Sequence, residues 1–446
     1  MKNSLKTFFA ITVSLFLLTA CNSDLDNITQ AEDDSDISLF IPAGFDFSTH
    51  QKVTINIVEN AAYAKYDVYA YSDNTDETLN DSEILERLIF SGVPKNGVLK
   101  QTINVPTYYN KVYIRRIEGV NLSTTIKDIV NQQVNFNSSE AKSAVKSTSN
   151  KNLASTDTDG DGIFDDDDAY PNDPKIAFEY FTPSKDGRGT LAFEDLWPST
   201  VDYDFNDLAL RYKVKMFLNA DNLAVGFDFE FKVISNRAGS YIGFGFEMEG
   251  IAPSQIESVT NPRLTFDIIK LNPNRTEAGQ KNAVIIVTDA IRFTKVGNEF
   301  ISKTISVKFL NPISTANLGV APFNPFIFTN KYSNTQTFEK VRDREVHLPN
   351  RKPTSLGIVS NGFDDPDGTY ISKNGYPWGL SIIEGQSIVT GTRPNPYFRI
   401  PKDTVNITRG YKFFKTWAES GGSKFKNWYS NGRGYRNESL LQELQD

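Results

Sequence analysis

Residues 157–174 read DTDGDGIFDDDDAYPNDP, with eight Asp and no Lys or Arg. Numbered from Asp157, the side chains of Asp159, Asp161, Asp165 and Asp168 fall at positions 3, 5, 9 and 12, with Gly162 at 6 and Ile163 at 7. A calcium ion takes about six to eight hard oxygens at about 2.3–2.6 Å, and alternate positions of a wrapping chain point inward to supply them. Gly162 permits the tight bend, and the backbone carbonyl of Ile163 can add an oxygen while its side chain packs inward. Without a cation, carboxylates about 5 Å apart repel by roughly 3 kcal/mol per pair at an effective dielectric of 20. The alternative is a solvated acidic linker. Asp166 and Asp167 are left over and are expected to face water.

The flanks select the kind of site. The spacing is that of an EF-hand loop with Asp in place of Glu at its last position, but a sensor EF-hand needs a helix on each side. Here a Ser/Asn-rich segment enters, and Pro171 and Pro174 follow, which forbid an ordinary helix. The loop resembles the helix-free calcium loops of thrombospondin type-3 repeats, which implies a joint stiffened by calcium.

A second acidic group lies in LAFEDLWPSTVDYDFNDLALRY, residues 191–212: Glu194, Asp195, Asp202, Asp204, Asn206 and Asp207. If residues 202–207 are extended, Asp202, Asp204 and Asn206 share one face, and Tyr203, Phe205 and Leu208 are apolar anchors. A polar turn entering a strand, a second calcium-supported loop, and a ligand-contacting or catalytic loop all fit this composition.

Other chemistry is largely closed. Only two histidines occur, His50 and His347, and neither sits in a nucleophile context. HExxH, Walker-type and GxGxxG motifs are absent. Glu247 and Glu249 in FGFEMEG could serve as a glycosidase pair if they share a strand face. The four Trp (197, 378, 417 and 428) could form a sugar-stacking platform or a packed core. DDPDG, 364–368, is a third acidic turn, for calcium or for solvent.

The start of the chain is an address. Lys2 and Lys6 precede the apolar run FFAITVSLFLL, too short for a permanent span, and it ends in LTAC. This resembles the bacterial lipobox and implies lipidation of Cys21, the one cysteine of the chain, which leaves no partner for a disulfide within it. Removing residues 1–20 leaves 45 basic against 55 acidic residues. An acidic chain with no basic cluster argues against a nucleic-acid partner. The acidic tether after Cys21 looks like the surface-export signal of Bacteroidetes lipoproteins, or it is a plain spacer in a periplasmic one.

Period-two runs at 52–58, 66–71, 111–117, 209–218, 223–234, 241–248, 282–293 and 301–310, rich in Phe and Tyr and bounded by turn residues, predict a mainly β protein. NADN (219–222) reads as a hairpin and 409–422 as one helix stopped by Gly421 and Gly422. The expected order is a signal peptide (1–20), a tether (21–36), an N-terminal β-sandwich (37–136), a linker (137–156), the calcium loop (157–174), a larger β-sandwich or jelly-roll-like domain with a peripheral helix (175–432) and a tail (433–446).

FEDLWPSTVDYDFNDL, together with REVHLPNRKPT, DDPDG, YPWGLSI and FFKTWAESGG, resembles the LruC domain family of bacterial outer-membrane lipoproteins. The resemblance covers about residues 157–430, and IPAGFDFST is a common companion. It implies calcium at Glu194, Asp195, Asp202, Asp204, Asn206 and Asp207, beside Asp157, Asp159, Asp161, Ile163, Asp165 and Asp168 of the first loop. The expected protein is a non-enzymatic lipoprotein of the outer membrane, surface-exposed or periplasm-facing. It would be held through lipid on Cys21 and would bind a glycan or an extracellular protein. A carbohydrate-active enzyme using Glu247 and Glu249 is the alternative. Oligomeric state is not legible.

Overall fold

Alternation along the chain decides which strands form and which faces they bury. In β12 below, Phe227, Phe229 and Phe231 turn inward while Asp228, Glu230 and Lys232 turn outward, as the two-residue repeat of a strand requires. The structure is a computed structural model describing residues 38–71, 87–140, 145–146, 156–199, 201–238, 241–260, 262–296, 299–300, 302–330, 342, 344–359, 362–384 and 398–443. Cys21, the signal peptide, the tether and, within the 137–156 linker, residues 141–144 and 147–155 lie outside the described residues.

The strands are β1 (His50–Val58), β2 (Lys65–Tyr71), β3 (Leu88–Gly92), β4 (Val98–Pro106), β5 (Lys111–Glu118), β6 (Asn121–Asp128), β7 (Gln133–Asn137), β8 (Val145–Lys146), β9 (Phe178–Thr182) and β10 (Arg188–Phe193). They continue as β11 (Leu208–Leu218), β12 (Leu223–Ser235), β13 (Tyr241–Met248), β14 (Ile256–Thr260), β15 (Ala283–Thr288), β16 (Lys295–Val296), β17 (Glu299–Phe300), β18 (Lys303–Ser314), β19 (Asn324–Asn330), β20 (Glu345–His347) and β21 (Gly379–Glu384). The protein is mainly β, as its sequence predicts.

One twelve-stranded sheet runs β14-β18-β12-β11-β9-β3-β2-β5-β6-β8, with β10 and β21 branching from β11. Strands from the first hundred residues and from the second half therefore share one sheet, joined where Phe90 of β3 pairs with Tyr180 of β9. Two smaller sheets cover it. β4-β1-β7 packs on it through Tyr66 and Phe136, whose rings lie 5.9 Å apart. β15-β13-β19-β20 packs through Phe229 against Phe246 at 5.1 Å. Aromatic pairs of this kind contribute about 0.5–1.5 kcal/mol each beyond area burial.

A second core holds Leu39, Phe47, Tyr203, Phe205, Trp417 and Trp428. Residues 38–49 thus pack against the C-terminal region: Leu39 N–H donates to Asn374 O at 2.8 Å, and Phe45 meets Trp417 edge-on at 5.2 Å.

Some elements differ from expectation. The single helix over 409–422 is two short turns, Ile407–Gly410 and Phe414–Glu419. Tyr411 between them is extended (φ −127°) and bridges Arg436, which breaks the helical hydrogen-bond run. Gly421 and Gly422 do terminate the second turn, with φ of 60° and 77° and N–H bonds back to Ala418 and Trp417 carbonyls. The 282–293 strand stops at Thr288, where the chain bends toward a short helical turn at Ile291–Thr294. Within the linker, Val145–Lys146 pairs with Asn121 and Leu122.

Candidate metal centres

Local backbone bonding folds the Asp loop around its own carboxylates. Asp157 accepts the N–H groups of Gly160 (2.7 Å) and Gly162 (3.0 Å), Asp159 that of Asp161 (3.2 Å), Asp161 that of Ile163 (2.8 Å) and Asp168 that of Tyr170 (2.6 Å). Gly162 carries φ of 93°, a left-handed value that a side chain would strain. Ile163 is 1% exposed and anchors the loop in the main core.

The winding brings ligand oxygens of Asp157, Asp159 and Asp161 within 4.8 Å of one another. Asp159, Asp161 and Asp168 each spend one oxygen on the backbone, and their other oxygens are buried without a hydrogen-bond partner. Orphaned buried carboxylate oxygens are costly unless a cation faces them. Burial raises Asp168 to about 6; the Tyr170 N–H opposes this, while Asp161, Asp159 and Asp157 add to it. Burial also raises Asp161. The donor set is all hard oxygen and fits calcium. Asp165 instead clasps the loop's ends, its carboxylate accepting Thr158 N–H (2.8 Å) and the Thr158 hydroxyl (2.7 Å).

Asp167 does not simply face water. It accepts the Tyr63 hydroxyl at 3.1 Å, and the Tyr63 ring lies 4.8 Å from Phe164. On the far side Ala169 N–H bonds Ala177 O, Ala177 N–H bonds Leu218 O, and the Tyr170 ring meets Phe217 at 5.9 Å. The loop is stitched to the segment before β2 on one side and to β11 on the other, two strands near the middle of the long sheet.

The second acidic group occupies the loop from β10 to β11. Those strands pair with Phe193 opposite Leu208, so Glu194 and Asp207 start side by side. Asp195 N–H donates to Asp207 (2.9 Å), Phe205 N–H to Glu194 (2.6 Å), and Thr404 N–H to Asp204 (2.9 Å); Asn206 donates to Asp204 through both its backbone and its side-chain amide. The segment is not extended as expected. Tyr203 and Phe205 have φ of 55° and 56°, which costs roughly 1–2 kcal/mol per residue. In exchange both rings are buried, Tyr203 stacked 4.3 Å from Tyr376.

Ligand oxygens of Glu194, Asp202 and Asp204 still lie within 4.8 Å of one another. Burial, then the charges of Asp207, Asp204 and Asp202, push Glu194 well above the ordinary carboxylate range. Burial and Asp202 raise Asp204 to about 7; burial and Asp195 raise Asp207. Carboxylates crowded this way hold either protons or a metal ion.

The remaining candidates have plain structural partners. All four Trp are at most 1% exposed, so the stacking-platform alternative is overturned: the rings are core. In DDPDG, Asp365 accepts Trp197 Nε1–H (2.8 Å) and the Tyr370 N–H (2.8 Å), while Asp364 pairs with Lys373 at 2.6 Å. β13 ends at Met248, so Glu249 lies beyond the strand, where it pairs with Arg351 at 3.2 Å. Glu247 is buried and accepts the amides of Asn282 (2.9 Å) and Asn324 (3.1 Å).

Sequence reasoning missed a buried charged chain. Glu277 takes a two-pronged grip from Arg342 (2.7 and 2.6 Å), Arg342 reaches Glu345 (2.6 Å), and Glu345 meets His347 Nε2 (2.9 Å). Burial would raise Glu345, but the hydrogen bond and charge of His347, with Arg342 and Thr354, hold it down at about 2. The period-two run EVH was the one signal, and it announces a strand rather than a network.

Residues 222–429 match a family model described as a domain of unknown function, DUF4842. The match begins downstream of both acidic loops. A crystal structure described as a "putative lipoprotein" from Bacteroides ovatus aligns with 85% of this chain and 98% of its own, at 14% identity and a TM-score of 0.48. No curated protein matches the chain.

Proposed function

We propose that this is a non-catalytic lipoprotein of the cell envelope, anchored by lipid on Cys21, whose β layers are braced by calcium and present a binding surface. The observation that carries this reading is the Asp loop: three buried carboxylate oxygens without partners, in a segment tied to Tyr63 on one side and to Phe217 and Ala177 on the other. Asp157, Asp159, Asp161 and Asp168 would hold the ion, with the Ile163 carbonyl as a further donor. Bound calcium supplies charge neutralisation, and the chain's own contacts convert the ordered loop into a fixed joint. Glu194, Asp195, Asp202, Asp204, Asn206 and Asp207 are the second candidate set. The lipobox-like LTAC and the LruC-like text support the envelope location. Among the described residues no helix is long and apolar enough to cross a membrane. The Asn amides on Glu247 and the Arg351 pairing of Glu249 favour structural roles for both.

Melting and limited proteolysis with calcium and with chelator test the brace. Calcium at a hundred times its Kd adds about 2.7 kcal/mol of stability, and cleavage within 156–175 slows. Identical melting and identical cleavage under both conditions would remove calcium from the account.

A further inference from the structure

We propose that the outward face of β9, β11, β12 and β18 binds a neutral polyhydroxylated ligand, one or two sugar units of a glycan, and that the Asp loop sets its affinity. The inference names a site and ligand class for the binding role proposed above, and its calcium arm rests on that reading.

These four strands are neighbours in the long sheet, and the positions that line the groove on three of them carry charge in rows of alternating sign. Acidic Glu179 stands on β9, basic Lys213 and Lys215 on β11, acidic Asp228 and Glu230 on β12, and Thr304 on β18, where Ser306 donates its hydroxyl to Asp228 at 2.6 Å. Register puts Lys213 opposite Glu230 and Glu230 opposite Thr304. The turn after β9 adds Lys185 and Asp186 at the rim, and together they enclose a half-open groove of about 320 Å³. That is the lower end of small-ligand sites.

The spacing of the charges selects the ligand. Lys215 lies 3.6 Å from Glu179, and Lys213 3.5 Å from Glu230. Both pairs neutralise charge, yet they are too long to be closed hydrogen bonds. Glu179 gives one oxygen to the Tyr170 hydroxyl (2.7 Å), Glu230 also faces Arg188 at 3.5 Å, and Asp228 gives one oxygen to the Ser306 hydroxyl (2.6 Å). The lysine ammonium groups and the second carboxylate oxygens therefore carry the remaining donor and acceptor capacity. A hydroxyl, donor and acceptor at once, bridges such a pair without disturbing its charge balance. A strongly charged ligand would have to break the pairs. A protein partner needs a larger face with apolar or aromatic anchors, and the groove's one aromatic, Phe181, is buried in the floor.

Tyr170 connects this groove to the Asp loop. Its N–H is held by Asp168 (2.6 Å), its hydroxyl donates to Glu179 (2.7 Å), and Lys215 reaches that hydroxyl at 3.4 Å. Ordering Asp168 around an ion thus fixes the position of two groove residues.

The test titrates neutral mono- and disaccharides, charged saccharides and short peptides into the full mature chain, read by saturation-transfer NMR and calorimetry. Saturable binding of neutral sugars is expected, weakened about tenfold in Lys213→Ala and in Asp228→Ala, the effect of losing one charge-assisted hydrogen bond. Both sites lie on an outward sheet face, and unchanged melting confirms folding. No saturable sugar binding, preference for peptides or charged sugars, or indifference to both substitutions overturns the site. Chelator and Tyr170→Phe are each expected to weaken binding. If chelator lowers the melting temperature but leaves binding untouched, the coupling is wrong while the brace stands. If sugar binds and chelator changes neither quantity, the calcium reading falls and the groove remains.

Discussion

Asp168 and Asp204 show how burial converts acidic text into a pH dependence. Burial leads in raising them, to about 6 and about 7. A carboxyl whose folded pKa lies above its unfolded value favours folding while protonated, and that advantage is lost as pH rises through the folded value. With chelator present, the melting temperature should therefore fall between about pH 4 and about pH 7, while calcium, which needs the ionised carboxylates, should stabilise more as pH rises. A chelator-treated protein whose melting is flat across that range would contradict the crowding seen at both loops. Glu345 runs the other way. Held at about 2, it contributes stability above the ordinary carboxylate range that is lost as pH falls through about 2. Asp161→Asn relieves repulsion and removes a ligand, so it should raise the metal-free melting temperature and shrink the calcium increment; differential scanning fluorimetry reads both. At this scale the gathering of Asp157, Asp159 and Asp161 was legible because they are near neighbours in sequence. The Tyr63–Asp167 bond was not, since it spans 104 positions. Nor were the left-handed Tyr203 and Phe205, since aromatic residues rarely take such angles and only the pocket that receives their rings explains them.

Among elements, the strands were the most readable because each presents one apolar face, and a two-residue apolar repeat suits a half-buried strand and no helix. The helix at 409–422 misled because its apolar spacing is real but is cut by the extended Tyr411. Gly421→Ala places a side chain at φ 60° and should cost about 1–2 kcal/mol, seen as a lowered denaturation midpoint. The buried chain from Glu277 to His347 ties β20 to the turn before β15. Arg342→Met leaves Glu277 and Glu345 facing each other without their cation, and should cost about 3–5 kcal/mol in urea unfolding. A loss below about 1 kcal/mol would mean that water already reaches the pair. Beyond the short EVH strand no sequence pattern announced this network, because Glu277 lies 65 positions from Arg342 and the members carry ordinary surface residue types.

For the whole molecule, sequence suggested two sandwiches and a linker, and the described residues add one long sheet common to both. Its continuity arises from a single β3–β9 pairing and from the main core, in which Val53, Ile163 and Phe227 are all buried. Unfolding of the mature protein in calcium should accordingly be one calorimetric transition, and two separated peaks would show that the halves melt independently. The placement of residues 38–49 has a mechanical corollary. A protein held by its N-terminal end feels tension first where the chain enters the fold. Here that entry is Leu39 bonded to Asn374, followed by Phe45 and Phe47 wedged against Trp417. Load applied from the N-terminal side is therefore borne by the C-terminal aromatic cluster before it reaches β1, so residues late in the sequence act as the clamp. In single-molecule pulling from the N-terminus, Trp417→Ala should lower the force of the first rupture.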